Sequence, residues 1–93
     1  MRMEEIHIVV KGRVQGVGFR HFTRKSAQKL GLVGWVRNLE GGEVEALAFG
    51  PAEILDAFIE TCRQGPEISV VEGVEILSRK SATSSEFSSF EVI

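Results

Sequence analysis

At 93 residues the chain is below the size at which proteins usually divide, so one domain over residues 1–93 is expected and a multidomain enzyme is excluded. Charged residues make up 26% and apolar ones 43%, a globular mixture, and no apolar run approaches the roughly 18 to 20 residues needed to cross a bilayer. The net charge of -2 conceals an asymmetry: residues 1–39 hold eight Lys and Arg against two Glu, a net of +6, and residues 40–93 are net -8. A basic segment in a mildly acidic chain either marks where an anion binds or is one of two oppositely charged solvated surfaces. Residues 1–5 lack the apolar stretch of a secretory signal, so a cytoplasmic location is expected.

In chain order, Ile6, Ile8, Val9 and Val10 form a β-branched run that predicts a buried strand over residues 6–10, ending toward Gly12. Residues 22–30 are good helix formers, and Gly31 stands where a helix would stop. Residues 33–38 and 43–49 are strand-like and joined by a short link containing Gly41 and Gly42, which predicts an antiparallel hairpin. Gly50-Pro51 predicts the opening of a second helix with proline at its first position. Ile54, Leu55, Phe58, Ile59 and Cys62 would share its buried face, and Gly65-Pro66 would close it. Residues 68–77 read as a strand, 78–85 as a polar loop and 87–93 as a final strand with Phe90 and Val92 on one face. The order β-α-β-β-α-β-β predicts an α+β, ferredoxin-like split βαβ sandwich. Its sheet would be mostly antiparallel, with two helices on one face and a short extra carboxyl-terminal strand.

Residues 12–20, Gly-Arg-Val-Gln-Gly-Val-Gly-Phe-Arg, link the first strand to the first helix and carry three glycines. Glycines let backbone amides turn inward, and a loop running into a helix N-terminus points several N–H groups at one spot, an arrangement suited to phosphate. Neither better-known phosphate loop fits: there is no Gly-Lys-Ser/Thr string here, and the third position of a Gly-x-Gly-x-x-Gly pattern begun at Gly16 is His21. Arg20 opposes the positive end of the helix dipole. It either bends into water or grips phosphate oxygens with its guanidinium fork. Asn38 ends a strand beside the hairpin, where asparagine often bonds its own backbone. In a split βαβ unit, however, that end lies beside the first loop, where a neutral amide could hold an attacking water.

These two strings, residues 12–20 and Gly34-Trp35-Val36-Arg37-Asn38, followed by Gly42, Val44 and Gly50, closely resemble the two signature motifs of acylphosphatases. The resemblance spans essentially the whole chain and implies a cytosolic hydrolase that splits carboxyl-phosphate anhydrides into carboxylate and inorganic phosphate. Carried over by position, it implies that Arg20 binds the phosphate and Asn38 positions the water. The backbone amides of Gln15, Gly16, Val17, Gly18, Phe19 and Arg20 would form the cradle.

The leaving carboxylate has a conjugate acid of pKa about 4, so no general acid is required. Neither motif offers an Asp, Glu or well-placed His as base, and the substrate's own phosphate oxygen is the expected proton acceptor. His21, beside Arg20 but about 100° further round the helix, is expected to face elsewhere. His7 reads as packing or edge solvation, and Arg24, Lys25 and Lys29 as the solvated face of the first helix. Cys62, Phe19 and Trp35 read as core or packing residues. Two distant histidines and one cysteine assemble no metal-ligand cluster, so no metal or cofactor is expected.

An RNA-binding ferredoxin-like module would need exposed aromatics on its middle strands and usually a basic surface, whereas the pI is 5.7 and tyrosine is absent. A degenerate phosphate-binding domain that has lost turnover is the other alternative, and the presence of both Arg20 and Asn38 counts against it. The expected partners are a small acyl phosphate and inorganic phosphate, with no nucleic acid and no membrane, on a monomer.

Overall fold

The structure, a computed structural model, describes residues 2–93. Seven elements follow one another as β1 (Met3–Arg13), α1 (Phe19–Lys29), β2 (Val33–Asn38), β3 (Val44–Pro51), α2 (Ala52–Gln64), β4 (Val70–Ser81) and β5 (Phe90–Val92). The strands form one sheet in the order β4-β1-β3-β2-β5, antiparallel except for the β2–β5 pair. This is the split βαβ arrangement expected from the chain order.

Period-two alternation decides which face of the sheet is covered. Ile6, Ile8 and Val10 of β1, Val44, Ala46 and Ala48 of β3, and Val36 of β2 are buried in one core. Phe19 and Ala27 of α1 and Leu55, Phe58, Ile59 and Cys62 of α2 pack into the same core. Ile54, expected with that helix face, is only partly buried at its margin. Phe90 of β5 is buried and meets Phe58 edge to face, 6.0 Å between ring centres.

Register brings the functional end of the sheet together. Val10 near the end of β1 pairs with Val44 at the start of β3, and Val44 pairs in turn with Asn38 at the end of β2. The β1–α1 loop, Asn38 and the residue after β5 therefore emerge at one edge of the molecule.

Several expected boundaries are corrected. Helix α1 begins at Phe19, three residues before the good helix formers, because the loop glycines can turn the chain directly into it. Pro51 is the last residue of β3 and the N-cap of α2, not its first helical residue; its ψ of 140° is extended. Residues 78–81, read as loop, continue β4, where Glu4 to His7 hydrogen-bond them as partners. Their polarity is that of an edge strand, where side chains meet solvent. Strand β5 is confined to Phe90–Val92, since only Gly34 to Val36 of β2 pair with it.

At the sheet end opposite the loop, Arg79 of β4 donates to Glu4 at 2.6 Å, to Asp56 at 2.6 Å and to the carbonyl of Ala52 at 3.0 Å. Arg2 also donates to Glu4. Glu4 is buried, and these donors, Arg79 first, hold its carboxyl below the ordinary 4.5.

Candidate active site

The β1–α1 loop is built from alternating anchors and hinges. Val14 and Val17 are buried in the core, and between and after them Gly16 and Gly18 adopt φ of 73° and 76°. Side chains rarely adopt this left-handed conformation, which turns successive peptide units so that their amides can face one side. A Cβ at either glycine would meet nothing within 4 Å, so the backbone dihedral, not space, demands glycine there.

Helix α1 then starts with no side-chain cap and no acidic residue in its first turn. Its positive end is left for an outside anion. A cavity of about 370 Å³ lies at this point, lined by Val14, Gln15, Gly16, Gly18, Phe19, Arg20, His21, Arg24, Asn38 and Val92. The lining holds two arginines and no carboxylate side chain. A dianion entering it meets two guanidinium side chains and no side-chain carboxylate.

Arg20 is half-buried, and its Nη1 donates a long 3.4 Å hydrogen bond to the main-chain oxygen of Ile93, just beyond β5. Asn38 is exposed and borders the same cavity from the end of β2. The Gln15 side chain ties the two halves of the site together. Its Nε2 donates to the carbonyls of Leu39 at 2.7 Å and Glu43 at 2.8 Å, the two residues that close the β2–β3 turn. Leu39 N–H also bonds to Glu43 carbonyl at 2.8 Å, so the turn following Asn38 is fixed from within and from the loop.

The residues expected around the phosphate are thus gathered, with one qualification. Gln15, Gly16, Gly18, Phe19, Arg20 and Asn38 line the cavity, whereas Val17 turns its side chain into the core and is absent from the lining. Two expectations are corrected. His21, though exposed, borders the cavity instead of facing elsewhere, because helix α1 starts early enough to put it in the first turn. Arg24 does not belong with Lys25 and Lys29 on the solvated face: it is half-buried and lines the cavity. Once α1 extends back to Phe19, Arg20 and Arg24, four residues apart, share one helix face. Val14 and Val92 also line the cavity and were not anticipated as site residues.

A second polar cluster lies on the sheet face away from the helices. Buried Glu45 receives Arg37 Nε at 2.5 Å and His7 Nε2 at 2.6 Å, Arg37 stacks 5.3 Å over the Trp35 ring, and His7 meets Trp35 edge-on. Trp35 is therefore only half-buried and outside the core, and His7 is a hydrogen-bond partner of Glu45 instead of simple packing. Burial pushes the Glu45 carboxyl up, but hydrogen bonds from Arg37 and His7 outweigh it and leave the carboxyl below its ordinary value. Cys62 is buried, and burial pushes its thiol up to about 12.

A sequence model of the acylphosphatase family matches residues 6–92, all but the ends of the chain. The chain belongs to the acylphosphatase family. An acylphosphatase of Methylococcus capsulatus is 45% identical over 91 residues, covering 98% of this chain and 97% of the relative. Two solved family structures superpose on it. The acylphosphatase of Bacillus subtilis does so with a TM-score of 0.86 at 40% identity, over 97% of this chain and 98% of that one. That of Coxiella burnetii gives 0.87 at 36% identity, over 99% and 94%. This acylphosphatase family member is an enzyme.

Proposed function

We propose that this chain hydrolyses acyl phosphates by holding the phosphoryl group on the loop amides of residues 15–20 and on Arg20, while Asn38 positions the attacking water. The observation that carries the assignment is the meeting of the glycine loop, Arg20 and Asn38 in one cavity without a carboxylate side chain. Water attacks phosphorus in line, the P–O bond to the acyl group breaks, and its electron pair leaves as the carboxylate. The proton of the water passes to a phosphate oxygen, giving inorganic phosphate.

Two physical features make so small a site sufficient. The leaving acid has a pKa of about 4 and departs without protonation. The loose phosphoryl transition state responds mainly to positioning and to charge stabilisation, which fixed amides and an arginine supply. A single domain acts as a monomer in this reading, in the cytoplasm, on small molecules and not on nucleic acid. Among the described residues no helix is long and apolar enough to cross a membrane.

His21 borders the cavity and is therefore the side chain to test as a competing base. The deciding experiment follows hydrolysis of benzoyl phosphate by the parent protein and three variants. Arg20→Gln is expected to lose both inorganic phosphate binding and rate. Asn38→Ala is expected to lose rate while keeping phosphate binding, and His21→Asn to keep the parent pH–rate profile. Full activity in Asn38→Ala, or undisturbed phosphate binding in Arg20→Gln, would refute the assignment of that residue.

A further inference from the structure

Arg24 is the charged group that this reading leaves without work. Its Nε is buried, yet has no hydrogen-bond partner among the described residues. Buried charged donors are costly to leave unpaired, and native structures nearly always satisfy them. The residue lines the same cavity as Arg20 and Asn38, one helical turn beyond Arg20 on the same face of α1.

We infer that Arg24 binds the acyl end of the substrate and stabilises the carboxylate as it leaves, an inference that rests on the phosphate cradle proposed above. Side chains four apart on a helix are rooted about 5–6 Å from one another, a spacing that suits two adjoining groups of one small molecule. The loop amides and Arg20 suffice for the three non-bridging phosphoryl oxygens. What remains is the acyl carboxyl group, attached to phosphorus through the bridging oxygen. When the P–O bond breaks, the electron pair stays on that oxygen and the charge spreads over both carboxylate oxygens. An arginine fork pairs with two such oxygens, and Nε is one of the donors of that fork. Arg24 thus acts on charge that develops during the reaction, whereas the cradle acts on charge present from the start.

The test uses a series of ring-substituted benzoyl phosphates whose leaving acids differ in pKa. Arg24→Gln is expected to lower kcat/KM on benzoyl phosphate by about 10- to 100-fold, the loss of one hydrogen bond to a charged group. Competitive inhibition by inorganic phosphate should be unchanged. The dependence of log kcat/KM on leaving-acid pKa should steepen, because poorer leaving groups need Arg24 most, and Arg24→Lys should recover part of the rate. A merely structural role would not change that slope. Weaker phosphate inhibition in Arg24→Gln would place Arg24 on the phosphoryl group and overturn the inference, as would an unchanged rate and slope. Rate loss in Arg20→Gln alone would overturn it and leave the cradle standing. Intact phosphate binding in Arg20→Gln would overturn the cradle and this inference with it.

Discussion

Replacing Gln15 by methionine keeps an unbranched side chain of similar length but removes both N–H donors that hold the β2–β3 turn. The two lost bonds, 2.7 Å to Leu39 and 2.8 Å to Glu43, are short and well formed. Neither carbonyl is orphaned by their loss: Leu39 still accepts from Gly42 N–H at 3.2 Å, and Glu43 from Leu39 N–H at 2.8 Å. The cost is therefore that of two ordinary hydrogen bonds without a further penalty for a stranded acceptor, about 1–3 kcal/mol in total. If roughly half of that is expressed as misplacement of Asn38, kcat falls about 2- to 10-fold, since 1.36 kcal/mol is a factor of ten in rate. Urea denaturation should give a lower midpoint with the same slope, and benzoyl phosphate hydrolysis a lower kcat. Inhibition by inorganic phosphate should stay at the parent level, because the backbone amide of residue 15 is untouched. A Gln15→Met protein with parent stability and parent kcat would refute the idea that this side chain clamps the two halves of the site. Weakened phosphate inhibition would mean that it shapes the cradle instead.

Acid should act mainly through the carboxylates whose folded pKa lies below the unfolded value. Glu4 is held low by Arg79 and Arg2, so its contribution is complete above the ordinary 4.5 and is lost as pH falls through the lower folded value. In urea titrations across that acid range, the stability of the parent should drop more steeply than that of Glu4→Gln; parallel curves would remove Glu4 from the account. Phe58 is fully buried against Phe90, and Phe58→Ala should cost about 3–5 kcal/mol, read by calorimetry or denaturation. A loss under about 1 kcal/mol would mean that the core refills the space. Cys62, buried with its thiol pushed up to about 12, should resist iodoacetamide in the folded protein and react once the chain is unfolded. Rapid labelling under native conditions would contradict its place in the core.

What the chain alone determined is local chemistry. Alternating Ile and Val around residues 6–10, the five apolar positions of α2 and the paired glycine breaks specified the elements, because burial period and turn residues are written in the order of side chains. The loop from Gly12 to Arg20 was legible for the same reason: glycines beside a helix start let backbone amides turn toward one spot. Less legible was residues 78–81, where an edge strand is as polar as a loop and only its pairing with Glu4 to His7 distinguishes it. Only tertiary structure decided which polar groups share a space. Sheet register set Asn38 beside Val44 and so beside the loop, and Gln15 found its partners across the hairpin. The early start of α1 then turned Arg24 from a member of a charged helix face into a lining residue of the cavity. A side chain's type carries its chemistry, but its partner is chosen by packing between segments distant in sequence, and no spacing along the chain encodes that choice.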